Sequence, residues 1–87
     1  MAVRSTERTR AELPAAMRDA VAGFERHLVS ERGRSPHTVR GYLGDVVSLC
    51  DHAQRLGHSD PGQLDVATIR SWLARLRTTG AARSTLA

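Results

Sequence analysis

Eighty-seven residues with 40% hydrophobic and 25% charged content make one small domain, too apolar for a disordered chain and near the size at which a single core only just suffices. The lone cysteine, Cys50, excludes an internal disulfide, and no stretch approaches the roughly 20 apolar residues of a membrane span. All 13 basic residues are arginine, giving a net charge of +4, which suits phosphate recognition by planar guanidinium forks but serves plain solubility equally well.

Residues 1–12 are polar and without apolar spacing, and read as a loose basic arm. Its Arg4, Arg8 and Arg10 are either solvated or a tether to an acidic partner. The arm lacks the apolar run of a secretory signal, so a cytoplasmic location is the default. From residue 13 to 87 the chain reads as one domain.

The first helix is predicted over residues 14–31, where Leu13, Met17, Val21, Phe24 and Leu28 recur at steps of three and four and set one stripe inward. Arg18, Asp19, Glu25 and Arg26 suit the wet side, and Gly33 is placed to end the helix in the left-handed conformation.

The second helix has its start written out. Ser35 is an N-cap and Pro36 fits the first helical position, where its missing N–H costs nothing. Val39, Tyr42, Leu43, Val46, Val47 and Cys50 form its apolar face, with Ala53 and Leu56 continuing inward until Gly57 stops it. His37, Arg40, Gly41, Gly44 and Ser48 lie opposite. Gly41 and Gly44 each cost about 1 kcal/mol against alanine inside a helix, which is reasonable where another helix or a DNA backbone comes close.

Residues 58–62 are a loop by composition, and Asp65 then caps a third helix whose Val66, Ile69, Trp72, Leu73 and Leu76 make an apolar stripe up to Thr79, with Gly80 as its stop. Residues 81–87 open with helix formers, place Leu86 where a stripe could start, and end. They read as an unfinished fourth helix.

Chemistry is sparse. There is no phosphate-cradling glycine loop, no cysteine pair and no closed metal set, since Cys50, His52 and His58 straddle a helix end. Asp45, Asp51, Asp60 and Asp65 form no tight acid and base pair. Asp45 reads as a helix-surface residue or a partner of a nearby arginine, and Cys50 as a small buried hydrophobe.

The string Ser35-Pro36-His37-Thr38-Val39-Arg40-Gly41-Tyr42-Leu43-Gly44-Asp45-Val46 resembles the Ser-x-x-Thr-x-x-x-Tyr-x-x-Asp-Leu signature of the N-terminal core-binding domain of tyrosine recombinases. Phe24-Glu25-Arg26-His27-Leu28 with Arg34, and Ile69-Arg70-Ser71-Trp72-Leu73-Ala74-Arg75-Leu76, are similar to that domain's first and third helices. The likeness covers roughly residues 15–87 and is nearest the Xer group, which resolves chromosome dimers, with phage integrases as the near alternative. Gly44 stands where the family often carries a basic residue, and Val46 replaces its usual leucine.

The resemblance implies an all-α, SAM-like orthogonal bundle of three full helices and the start of a fourth, which clamps duplex DNA from one side. It also implies a second recombinase protomer as partner, and no cofactor, metal, membrane or small-molecule substrate. The family's catalytic half is expected to lie outside these residues, so the 87 residues are read as non-enzymatic. His37-x-x-Arg40 and Tyr42 mimic catalytic residues of the family without the companions that would make them so. The residues assigned to DNA are Arg34, Ser35, His37, Thr38 and Arg40, with Arg83 and Ser84 at the start of the fourth helix. The helix start favours phosphate through its N–H groups and dipole, and the flanking arginines add charge. A helical protein-interaction module is the competing reading.

Overall fold

The computed structural model describes residues 2–31 and 33–79. Among these residues four α-helices follow one another, α1 (Ala2–Ala11), α2 (Ala15–Ser30), α3 (Pro36–Arg55) and α4 (Val66–Thr79), with a 3₁₀ turn at Pro61–Gln63. No strand occurs among the described residues. The expected all-α bundle is present. The unfinished helix, Gly80, Arg83 and Ser84 lie outside the described residues.

Local chemistry sets the helix ends where the sequence places them. Ser35 Oγ accepts the Thr38 N–H at 3.1 Å and Pro36 occupies the first turn of α3. Asp65 Oδ1 accepts both the N–H and the hydroxyl of Thr68, each at 2.8 Å, and so caps α4. Gly33 and Gly57 carry φ of 82° and 97°, the left-handed region that an L side chain resists. Between them and α4, Asp60 and Gln63 form a reciprocal capping box on the 3₁₀ turn.

The core is the seam between α2 and α3. Leu13, Met17, Val21 and Leu28 meet Val39, Leu43, Val47, Cys50 and Ala53, and Phe24, Val46 and Leu64 pack against the cluster. Met17, Val21 and Val47 are the largest side chains wholly removed from water, each gaining about 1.5–3 kcal/mol from burial. Burial also pushes the Cys50 thiol up, so it stays protonated and behaves as a small hydrophobe.

Four expectations need correcting. Leu56, expected to continue the inward face of α3, is its C-cap residue and is 52% exposed. The stretch read as a loose arm holds a helix, α1, packed on α3. It was illegible because a helix of AVRSTERTRA has no apolar stripe and forms only through docking. Tyr42 is not a core residue; it is 44% exposed, and its ring lies under the Arg34 guanidinium instead of in the core cluster. On α4, Ile69 and Leu73 are exposed as well, and Val66 is 62% exposed. Periodicity identifies an apolar face but says nothing of whether a neighbour covers it.

Helix α4 is instead fastened to α3 by polar side chains. His52 Nε2 and Ser71 Oγ are 2.8 Å apart, and the Trp72 indole N–H donates to Ser48 Oγ at 2.9 Å. Ser48 and His52 stand one turn apart on α3, so two hydrogen bonds clasp the neighbouring pair Ser71 and Trp72.

Candidate functional site

The start of α3 gathers five of the seven assigned residues, Arg34, Ser35, His37, Thr38 and Arg40, in one exposed turn and its approach. Their states differ. Arg34 Nε donates to Glu31 Oε2 at 2.5 Å, and its guanidinium lies over the Tyr42 ring, 5.2 Å from the centroid. Glu31 also pairs with His27 Nε2 at 2.8 Å. The hydrogen bond from Arg34 holds the Glu31 carboxyl below its ordinary range, and the same bond pushes the Arg34 guanidinium up. Arg34 is thus a tie between the end of α2 and the flank of α3, with its charge matched inside the domain.

Ser35 and Thr38 form the cap. Besides the N–H bond, their hydroxyls are 3.0 Å apart, and either can donate. One hydroxyl proton satisfies that contact, which leaves the second O–H of the pair to donate outward. In the first turn Pro36 has no N–H, the Thr38 N–H is taken by Ser35 Oγ, and the Val39 N–H reaches Ser35 O at 3.0 Å. The His37 N–H is the one backbone donor of this turn with no partner among the described residues.

His37 and Arg40 are exposed, and neither has an ion-pair or hydrogen-bond partner among the described residues. Both line a cleft of about 540 Å³ with Gly41, Leu43, Gly44 and Val47 of α3, Glu25 of α2, and Thr6, Glu7 and Arg10 of α1. A Cβ at Gly41 would meet nothing within 4 Å, whereas one at Gly44 would stand 4.0 Å from Thr6 Oγ1. Gly41 therefore faces open space and Gly44 faces α1. Asp45 has no ion-pair partner among the described residues, and burial pushes its carboxyl up.

A helix start with an unmatched arginine, an exposed imidazole, a free N–H and an outward hydroxyl can bind one phosphate and position it. Among the described residues no group of His, Cys, Asp or Glu could hold a metal ion.

Residues 21–87 match the family model described as phage integrase, N-terminal SAM-like domain. The chain belongs to this family.

This SAM-like domain is 50% identical over 64 residues to the tyrosine recombinase XerC of Mycobacterium leprae (strain TN), covering 74% of this chain and 21% of that protein. It is 42% identical over 74 residues to the XerC of Mycobacterium sp. (strain KMS), covering 82% and 24%, and 45% identical over 64 residues to that of Mycobacterium tuberculosis (strain ATCC 25177 / H37Ra), covering 74% and 21%. The chain thus spans between a fifth and a quarter of the length of these relatives. No solved structure matches it. Helices α3 and α4 lie inside the family match, and α1 lies wholly before it.

Sequence reasoning missed the α3 and α4 clasp and the part played by α1. Ser48 and His52 at one-turn spacing were the available signal for the first. For α1 there was none, because its partner surface is created by the fold.

Proposed function

We propose that this domain is a DNA-contacting module of a Xer-type tyrosine site-specific recombinase, holding duplex DNA through its phosphates while strand exchange is carried out elsewhere in such an enzyme. The observation that carries the proposal is the pair His37 and Arg40, exposed and unmatched on the first turns of α3, within a domain 42–50% identical to XerC proteins. Arg40 supplies the charge and a bidentate fork. His37 contributes its N–H and ring, and the Ser35 and Thr38 pair contributes one hydroxyl donor while keeping the helix start rigid. Arg34 acts by holding this turn in place. Arg83 and Ser84 complete the proposed contact set.

In this reading the domain works in the cytoplasm, with a second recombinase protomer on the same DNA, in chromosome dimer resolution; the corresponding domain of a phage or mobile-element integrase is the near variant. Titration of a labelled duplex with the full chain at 50 and 200 mM salt tests it. Binding in the range of about 10⁻⁴ to 10⁻⁶ M that weakens steeply with salt is the expected result, and salt-independent or absent binding refutes it.

A second reading, a helical protein-interaction module, is favoured by one observation. Val66, Ile69 and Leu73 give α4 an exposed apolar stripe, the kind of surface that seats another helix.

A further inference from the structure

We infer that α1 is a detachable strap over the cleft face of α3, so that duplex DNA and the docked helix compete for the ground beside His37, Arg40 and Gly41. The inference rests on the reading of that face as the DNA side. It adds a regulatory contact that the family match, confined to residues 21–87, does not contain.

Position comes first. Thr6, Glu7 and Arg10 form one wall of the cleft whose other wall includes His37, Arg40 and Gly41. Gly41 itself is open, and a phosphate backbone laid along α3 from Gly41 toward Gly44 meets α1. Glu7 brings a carboxylate to the same cleft as Arg40 and His37, while Arg10 of α1 in that cleft is paired with Glu25, so Glu7 is the acidic group that α1 itself sets there.

The strap is also weakly held. It is a helix of 10 residues, too short to persist in water without docking. Among its described side chains, those of residues 6–11, none is buried and none belongs to the core. An ion pair of Arg10 with Glu25 at 2.8 Å, with both side chains partly exposed, ties it to α2; such pairs contribute little. Thr6 stands beside Gly44, where a Cβ would meet its Oγ1 at an ordinary contact distance of 4.0 Å, so the two helices touch here without interlocking. An element with few buried apolar contacts belongs to the low-stability end of a fold and is released before the bundle opens.

The test uses the full chain in two opposed variants. In Thr6→Cys/Gly44→Cys the new Cβ at position 44 stands 4.0 Å from the place of the residue 6 γ atom, near enough for a disulfide after a small shift, while Cys50 is buried. Oxidation should lock α1 down and weaken duplex affinity by about tenfold, within the usual range of coupling between two binding events, and reduction should restore it. Glu25→Gln, which loosens the strap, should tighten duplex binding. In the unaltered chain, amide hydrogen exchange of residues 2–11 should speed up when duplex is added. Equal affinity of the oxidised and reduced forms, weaker binding by Glu25→Gln, or slowed exchange of α1 on DNA would overturn the strap while leaving the DNA reading intact. Absence of salt-sensitive binding in every form, Glu25→Gln included, overturns both.

Discussion

The Arg34 guanidinium lies over the Tyr42 ring, 5.2 Å from its centroid, while its Nε is bonded to Glu31. This one side chain joins the end of α2 to the outer flank of α3. It also explains why a tyrosine at the edge of the apolar stripe faces solvent: its ring is covered by a cation rather than by the core. Arg34 and Arg40, six residues apart, therefore have separable roles. Arg34→Ala should lower the urea midpoint without changing the m-value, and Arg40→Ala should leave the midpoint unchanged and weaken DNA binding. Paired denaturation and DNA titration curves check this.

Gly41 is helical and has open space where a side chain would project. Gly41→Ala should stabilise the domain by about 1 kcal/mol, the difference in helix propensity. If the proposed phosphate approach is right, the same change weakens duplex binding, so stability and affinity move in opposite directions. Urea denaturation and a DNA titration on the one variant read both.

Met17 is completely buried between α2 and α3. Met17→Ala should cost about 2–5 kcal/mol, a large share of the roughly 5–15 kcal/mol that holds a domain of this kind together. A thermal melt followed by far-ultraviolet circular dichroism should show the variant largely unfolded or melting far below the parent.

The indole N–H of Trp72 donates to Ser48 across the junction of α3 with α4. Trp72→Phe keeps most of the apolar surface and removes the donor. A loss of about 0.5–1.5 kcal/mol is expected, together with faster amide hydrogen exchange in α4 and little change in α2.

Acid sensitivity should reside partly in a helix cap. The backbone N–H of Thr68, with its hydroxyl second, holds the Asp65 carboxyl below the ordinary aspartate range, and His58 adds to this. A carboxyl depressed in the folded state binds protons more readily in the unfolded one. Its stabilising effect is therefore complete above the unfolded value, near pH 4, and is lost as pH falls through the folded one. Asp65→Asn keeps a capping oxygen and removes the titration. Stability profiles between pH 2 and 7 should show a shallower acid limb for the variant, and identical limbs would contradict this origin.

Much of this fold is legible because its punctuation is local. Ser35 with Pro36, Asp65 and Gly57 act locally and lie where sequence reasoning places them, whereas Gly33 is left-handed as expected but stands two residues past Glu31, whose extended backbone caps α2. The α2 stripe from Leu13 to Leu28 is likewise a local pattern with a heavy core behind it. What escaped depends on neighbours. Helix α1 exists against a surface that only the folded bundle offers, and the exposure of Ile69 and Leu73 reflects what stands beside α4 rather than their own spacing. In the candidate site, the residue types and their clustering were legible at the start of α3. The distribution of partners was not, because Glu31 and Tyr42, which take up Arg34, lie on either side of a turn.

The central claim is that His37 and Arg40 at the start of α3 meet DNA phosphate, and the slope of log affinity against log salt measures it most directly. Each lost phosphate contact should lower that slope by about 0.9 on duplex DNA. Arg40→Ala should bind duplex more weakly and with a shallower slope, at an unchanged urea midpoint. An Arg40→Ala/His37→Ala chain that binds duplex with the parent's affinity and the parent's slope would contradict it.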